Sequence, residues 1–275
     1  GFELEVTLPG ISYGIHTTST NENHVVPFVS QTFNAVNSEI LVGPLVITDI
    51  MYNPPSLVGL LQCCEFIKIK NISGQSINLF DDNNPTNTYK INGASFYFPE
   101  NIIIAAGEEI YIKDAEISDS EFRGRYELSS SSQLFTFNGS LDNAGETISI
   151  QKPLSPVSTN EGIIVPYAVI DRVKYDNQQP WPDVNSNGYM LHRIDNAIYG
   201  NDPENWTATD GLGVLPDIFN LTVENGSGSG SYYQYSEVTI TANTAPVDKV
   251  FSKWTGNAVD FIADVNAATT TLSMP

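Results

Sequence analysis

Short runs of alternating apolar and polar residues, separated by turn-forming clusters, make up most of the chain. The runs are rich in β-branched and aromatic residues, and clusters such as NISGQS and NQQPWP lie between them. Alternation with a period of two is typical of a strand with one buried face, and no long stretch has clean helical periodicity. The pattern therefore predicts an all-β protein. The clearest predicted strands lie in segments 45–52, 64–71, 94–114, 146–152 and 167–175.

The same pattern predicts two β-rich domains. Many short strands joined by turns favour a β-sandwich or a barrel. We place the larger domain at 42–210 and interpret residues 1–41 as an N-terminal flank, the remnant of a preceding module. Segment 211–217, GLGVLPD, has the Gly and Pro content of a linker. The Thr-rich sequence after it, 218–275, indicates a second and smaller β-rich domain.

The charge balance narrows the classes of partner. The chain has 12 Lys and Arg against 32 Asp and Glu, a formal net charge of −20. Binding of a phosphate backbone needs clustered basic residues, so we expect no nucleic-acid partner, and an anionic membrane surface is disfavoured for the same reason. The apolar runs are too short to cross a bilayer, which predicts no membrane insertion.

The sequence offers little that indicates catalysis. His16, His24 and His192 are scattered, without the HExxH spacing of a metal hydrolase, and no GxSxG elbow occurs. Adjacent Cys63 and Cys64 form neither a disulfide framework nor a metal knuckle. They are interpreted as one inward and one outward thiol on a strand, with a vicinal disulfide as the alternative. We therefore expect a protein that is not an enzyme and requires no cofactor.

One segment, WPDVNSNGYMLHRID at 181–195, begins like a calcium loop. Asp183, Asn185 and Asn187 alternate ahead of Gly188, as do the first oxygen ligands and the glycine of an EF-hand loop. The bidentate Glu that closes such a loop is absent from its position. Asx-type turns account for the same residues without a metal. Calcium bound by these three side chains and a plain turn between strands therefore both remain open.

Six blocks of the larger domain resemble the bacterial branch of the lamin-tail domain family. In order they are VGPLVITDIMYNPPS (42–56), EFIKIKNISGQSINL (65–79), FYFPENIIIAAGEEIYIKD (96–114), LDNAGETISI (141–150), VIDRVKYDNQQPWP (169–182) and GNDPENW (200–206). The resemblance implies that family's fold, an immunoglobulin-like β-sandwich. It carries no catalytic residues to this chain.

The smaller domain is similar to the internalin-type bacterial B repeats. The segments LTVENGSGSGSYYQYSEVTITA, FSKWTG and IADVNAATTTLSMP stand in that family's order over 219–275. Those repeats continue with another strand after Met-Pro, so the resemblance implies that this domain lacks its last strand. Together the two resemblances imply an exported bacterial multidomain protein, secreted or attached to the cell surface.

The sequence thus predicts a non-catalytic interaction, adhesion or spacer module. Its expected partners are an extracellular protein or a polysaccharide, besides the neighbouring domains of a longer chain. The alternative is a carbohydrate-binding accessory module of a secreted hydrolase, in which Trp181, Tyr189 and Trp206 stack on sugar rings. The competing interpretation places the tryptophans in the core of the fold.

Overall fold

The computed structural model describes residues 6–54, 65–160, 162–184, 188–211, 213, 217–234 and 236–275. Strands account for 41% of the chain and helix for 5%, which confirms the prediction of a mostly β protein. The chain divides into two compact units. Among the described residues, the first unit holds 6–54 and 65–213, and the second holds 217–275.

The first unit contains eighteen short strands and one short α-helix among the described residues. The strands before the helix are β1 (Ser12–Thr17), β2 (Asn23–Phe28), β3 (Leu45–Met51), β4 (Phe66–Asn71), β5 (Ile77–Asn78), β6 (Phe80–Asp81), β7 (Asn84–Thr88), β8 (Lys90–Asn92), β9 (Phe96–Tyr97), β10 (Ile103–Ile104) and β11 (Glu109–Lys113). Helix α1 (Asp119–Arg125) precedes β12 (Leu134–Thr136), β13 (Thr147–Pro153), β14 (Val157–Thr159), β15 (Gly162–Ile164), β16 (Tyr167–Lys174), β17 (Tyr189–Arg193) and β18 (Trp206–Asp210). A 3-10 turn, Pro203–Asn205, leads into β18.

Two larger sheets form the body of this unit. One has six strands in the order β12-β11-β4-β3-β17-β18, and the other has four in the order β16-β13-β8-β9. The β11–β12 pair is parallel and the other pairs in these sheets are antiparallel. Smaller two-stranded pairs flank them: β1–β2, β5–β10, β6–β7 and β14–β15.

Both larger sheets contribute to one hydrophobic core. Ile67 and Ile110 come from the six-stranded sheet and Ile148 and Val173 from the four-stranded sheet, and all four side chains are fully buried. Alternate residues on the same strands point away from this core, as the two-residue period of a strand requires. Removing such apolar surface from water stabilises the fold by roughly 25 cal/mol per Å². The apolar residues of the alternating sequence pattern are therefore the ones that fill this shared core.

Helix α1 covers part of the outer face of the six-stranded sheet. Its Phe122 packs with Met51, Phe66 and Ile117 in a second buried cluster. The helix begins with a capping box, in which the Ser118 hydroxyl accepts a hydrogen bond from a backbone N–H of the first turn. The sequence reading missed this helix because seven residues make fewer than two full turns of the hydrophobic period.

A buried ion pair connects the two larger sheets. The Arg193 guanidinium of β17 donates to Asp171 Oδ2 of β16 at 2.8 Å. The same Asp171 oxygen accepts the backbone N–H of Ile47 in β3 at 2.8 Å. Arg193 also donates to the carbonyl oxygens of Ile47 at 3.2 Å and of Ile198 at 2.6 Å. Gly200, in the connection that follows β17, lies against the Arg193 side chain. A Cβ added to Gly200 would stand 2.7 Å from a guanidinium nitrogen.

The second unit is a smaller β structure with its own core. Its strands are β19 (Ile218–Leu221), β20 (Gly226–Ser227), β21 (Gly230–Tyr233), β22 (Glu237–Ala242) and β23 (Thr269–Ser273). Strand β22 pairs with β20 and β23, and β19 pairs with β21. Val238, Ile240, Leu272 and Met274 form the buried cluster, against which the half-buried Trp254 packs. A 3-10 turn, Val259–Phe261, precedes β23.

The buried ion pair leads to a stability prediction. We expect Asp171→Ala to lower the free energy of unfolding by about 3–5 kcal/mol, because it leaves the Arg193 charge buried without its partner. Urea unfolding of the intact chain measures this, with Trp181 and Trp206 followed by fluorescence in a Trp254→Phe background. The double variant Asp171→Leu with Arg193→Met is the control, since it removes both charges while keeping the volume and should lose less. An Asp171→Ala protein as stable as the unaltered protein would show that the ion pair does not stabilise the fold.

Candidate functional site

The predicted sugar-stacking residues do not form one surface. Trp181 and Trp206 are 6% and 4% exposed and pack on each other, with ring centroids 6.1 Å apart. The Trp206 indole donates to the Gly200 carbonyl at 2.7 Å. Tyr189 is 45% exposed, but it pairs with Asp210 at the opposite end of the β17–β18 ladder from Trp206. The two tryptophans therefore belong to the core, and Tyr189 stands apart from them.

Little of the predicted calcium loop falls within the described residues. Asp183 is exposed to solvent, whereas Asn185 and Asn187 lie outside the described residues, as do Cys63 and Cys64. In the part of the chain that the structure describes, no group of three or more His, Cys, Asp or Glu side chains is placed to hold a metal ion. The calcium hypothesis at this turn stays a prediction.

A cavity of about 730 Å³ lies between the β1–β2 hairpin and the outer face of the four-stranded sheet. The hairpin supplies one wall, with Tyr13 and His24 among its residues. The sheet supplies the other wall, through outward side chains of β8, β13 and β16. Tyr199 and Asn201, from the connection between β17 and β18, close one side.

The sheet wall consists of aligned polar rows. Ser149 of β13 is paired with Asn92 of β8 on one side and with Arg172 of β16 on the other. Thr147 is paired with Lys174 in the neighbouring row. Because successive side chains alternate between faces, these residues point outward while Ile148, Ile150 and Val173 enter the core. Their register thus gathers hydroxyl, amide and cationic groups on one surface.

Contacts with the β17–β18 connection hold the hairpin in place. Asp202 accepts the backbone N–H of Ser19 at 2.8 Å and also a hydrogen bond from the Ser19 hydroxyl. Partial burial alone would raise the pKa of Asp202, but the Ser19 hydrogen bonds hold it below its ordinary value. His24 Nδ1 lies 3.2 Å from the Tyr199 hydroxyl, and burial raises the pKa of that tyrosine to about 12. These contacts hold the hairpin wall of the cavity against the β17–β18 connection.

A second cavity, of about 190 Å³, continues from the first. It shares His24, Lys174 and Asn201 with the first cavity and extends to Gln178 and the edge of Trp181. The Asn201 side chain accepts the backbone N–H of Lys174 at 2.7 Å, which fixes the junction. We call the two cavities together the hairpin groove.

Charged side chains line both cavities of the hairpin groove. Arg172 and Lys174 line the first cavity, where the one carboxylate among the described residues, Asp171, is paired with Arg193. Glu22 and Asp176 line the second cavity. The sequence reading did not identify this site. The one signal was the segment DRVK, in which two basic residues alternate with the buried Asp171 and Val173.

A second polar cluster lies on the outer face of the six-stranded sheet. The fully buried carboxylate of Asp49 contacts His192 Nδ1 and Lys68 Nζ, each at 2.7 Å, and accepts the Thr48 hydroxyl at 2.7 Å. Lys68 also lies 3.7 Å from Glu109. Neither cavity of the hairpin groove includes these residues. The cluster supplies hydrogen-bond partners from three strands to a buried carboxylate, and His192, one of the three scattered histidines, is among those partners.

Comparison of the chain with protein-family models, with curated proteins and with solved structures found no match. No helix within the described part of the chain is both long and apolar enough to cross a membrane.

The His192–Asp49 contact leads to a pH prediction. The hydrogen bond that His192 Nδ1 donates to the Asp49 carboxylate raises the pKa of His192 above its ordinary value. Burial would raise the pKa of Asp49, but its contacts with His192 and Lys68 lower it, so the carboxylate stays charged near neutrality. A raised histidine pKa gives stability that is fully present below the ordinary value of about 6.5 and is lost as the pH rises through the folded-state pKa.

We therefore expect stability to fall between mildly acidic and alkaline pH more steeply in the unaltered protein than in His192→Gln. Thermal unfolding at a series of pH values measures the difference between the two proteins. Asp49→Asn, which removes the partner charge, should flatten the same pH dependence. Parallel pH profiles for the unaltered protein and His192→Gln would show that the contact carries no proton linkage.

Proposed function

We propose that the chain is a non-catalytic binding module of an exported bacterial multidomain protein, and that the hairpin groove holds its ligand. In this proposal the first unit is an immunoglobulin-like sandwich of the lamin-tail type and the second is a B-repeat-type domain. Two mainly antiparallel sheets with one shared core support the sandwich. The sequence resemblances support the bacterial origin, the export and a place at the cell surface.

The observation that carries the binding function is the hairpin groove itself. Ligand sites are concave and largely preformed, with a few converging polar groups, and commonly occupy about 300–1,000 Å³. The first cavity has about 730 Å³ and its hairpin wall is held by the Ser19–Asp202 and His24–Tyr199 contacts. The site thus has the volume and the fixed walls that binding requires.

The lining chemistry favours a carbohydrate as the ligand. Asn92, Gln151 and Asn201 present side-chain amide groups that donate and accept hydrogen bonds. Hydroxyl groups of a sugar ring have the same double capacity. The alternative that the sequence raised, a carbohydrate-binding module, is therefore the form of the proposal that we favour, with the groove in place of the buried tryptophans.

Two titratable groups of the groove, His24 and Asp171, are engaged with other groups of the protein. His24 lies between the Tyr199 hydroxyl at 3.2 Å and Glu22 Oε2 at 3.4 Å. Asp171 is occupied by Arg193 and by a backbone N–H. A catalytic acid or base exchanges a proton with the substrate, whereas the proposal assigns these two groups to holding the walls of the groove.

A substitution that fills the groove tests the proposal. Asn92 is exposed and lines the first cavity, so Asn92→Trp should occupy the space of the ligand and weaken glycan binding by at least about tenfold. A glycan array followed by titration calorimetry on the intact chain measures this. Ser158→Trp, at an exposed position of β14, is the matched control and should bind as the unaltered protein does. Glycan binding that ignores Asn92→Trp but is lost in Tyr189→Ala would place the site elsewhere.

A further inference from the structure

An exposed tyrosine stands on the same face of the four-stranded sheet as the hairpin groove. Tyr97 of β9 is paired with Lys90 of β8, and Lys90 is paired in turn with Gln151 of β13, which lines the first cavity. The residues next to these three along their strands enter the core: Phe96, Ile91 and Ile150. Because successive residues of a strand alternate between faces, Tyr97, Lys90 and Gln151 form one outward row that leads into the groove.

The Tyr97 ring is largely open to solvent and is supported from one side. Tyr97 is 58% exposed. Its ring meets that of Tyr167 edge-to-face, with centroids 6.4 Å apart and planes at 82°. Lys90 Nζ lies 4.1 Å from the ring centroid of Tyr167 and 5.7 Å from that of Tyr97, and this attraction of a cation to two rings holds the group together. An aromatic surface and a hydrogen-bond donor therefore stand side by side.

This pairing of an aromatic ring with a donor matches the chemistry of a sugar. One face of a pyranose ring with equatorial hydroxyl groups consists of C–H groups, which pack on the electron-rich face of an aromatic ring. Hydroxyl groups project from the edge of the sugar, where an ammonium group can donate hydrogen bonds to them. Tyr97 thus offers a surface for the C–H face, and Lys90 offers a donor for a hydroxyl of the same sugar residue.

The direction of the row sets the length and the shape of the ligand. The row crosses three neighbouring strands, β9, β8 and β13. Neighbouring strands lie about 4.8 Å apart, so Tyr97 and Gln151 are separated by about 10 Å. That distance exceeds one sugar ring, so a ligand that contacts both residues is an oligosaccharide or a polymer. A chain of β-1,4-linked pyranoses is extended and exposes flat C–H faces, whereas an α-1,4-linked chain of the same sugars curves away from a straight row.

The arrangement of the rings favours a sugar over a proline-rich peptide. Such peptides dock in grooves lined by several aromatic side chains. Here Tyr167 stands nearly perpendicular to Tyr97 and its face is covered by Lys90, so one ring is presented. Farther along lie the amides of Gln151 and Asn92, which both donate and accept hydrogen bonds. Sugar hydroxyl groups use both capacities, but a run of prolines has no backbone donor.

From these observations we propose that Tyr97 and Lys90 form a sugar-binding subsite that extends the hairpin groove, and that the ligand is a linear β-1,4-linked polysaccharide. The proposal rests on the proposed carbohydrate-binding function and adds the class of the polymer. One sugar residue lies on Tyr97, and the residues that follow it run past Gln151 into the first cavity. Recognition is by ring stacking and hydrogen bonds, so it does not depend on a charge on the ligand.

Titration calorimetry on the intact chain tests the class of polymer. Cellohexaose, xylohexaose and chitohexaose are the β-1,4-linked probes, and maltohexaose is the α-1,4-linked probe. Cellohexaose and maltohexaose consist of the same sugar, so the linkage alone differs between them. We expect at least one β-1,4-linked probe to bind at least about tenfold more tightly than maltohexaose, because the extended chain alone reaches both the ring and the groove.

Substitutions in the row test the subsite with the β-1,4-linked probe that binds. Tyr97→Ala should weaken binding by about tenfold, whereas Tyr97→Phe, which keeps the ring, should bind within about twofold of the unaltered protein. Lys90→Met removes the ammonium group and should weaken binding by about fivefold. Tyr189→Ala is the matched control, because this exposed tyrosine belongs to the six-stranded sheet and lines neither cavity. Unchanged thermal unfolding of Tyr97→Ala, whose side chain is exposed, separates lost binding from lost folding.

The opposite results distinguish failure of the subsite from failure of the proposed function. Equal binding of maltohexaose, or failure of all three β-1,4-linked probes while other glycans bind on the array, would overturn the class of polymer. An affinity that is indifferent to Tyr97→Ala but lost in Asn92→Trp would overturn the subsite and leave the carbohydrate groove standing. Oligoproline bound in preference to every sugar, and lost in Tyr97→Ala, would replace the polysaccharide by a peptide. If no glycan of any kind binds, the proposed function falls as well.

Discussion

The buried guanidinium of Arg193 is the interaction on which the arrangement of the first unit depends. It joins β17 to Asp171 of β16 and to the Ile47 carbonyl of β3, so it connects the two larger sheets. Its second amino group holds the Ile198 carbonyl in the β17–β18 connection. Because Asp171 points inward to reach Arg193, the residues on either side of it, Ile170 and Arg172, lie at the wall of the groove. One buried charge thus sets the position of two walls of the candidate site.

The effect of this interaction passes to the hairpin through the same connection. The segment that Arg193 holds at Ile198 continues at once into Tyr199, Asn201 and Asp202, which contact His24, the Lys174 backbone and Ser19. A buried ion pair is costly to desolvate and often adds little net stability compared with apolar residues of the same volume. Its presence is better explained by what it orients: an apolar pair could fill the space but could not hold three carbonyl and amide groups in fixed directions.

The sequence predicted the local structure well where one physical signal dominated. Strands such as β4 and β13 were readable because one face of each is buried in a shared core and the other is not. Helix α1 was not readable, because it is short and its burial rests on Phe122. The tryptophans were ambiguous in the sequence, since a large amphipathic ring suits a core and a ligand surface equally. Only tertiary packing, with Trp181 against Trp206, decides between these uses.

The hairpin groove could not be predicted because its walls come from four separate segments. Tyr13, Ser149, Arg172 and Asn201 are brought together by strand pairing and by the Arg193 contacts, and none of them belongs to a spaced motif. What the composition did convey, a strongly acidic chain, does not show which side chains the fold gathers at one place. Arg172 reaches the groove because alternate residues of β16 point outward, and Ser149 reaches it because it pairs with Arg172 in the neighbouring strand. The candidate site is thus a consequence of strand pairing and not of any one segment of the sequence.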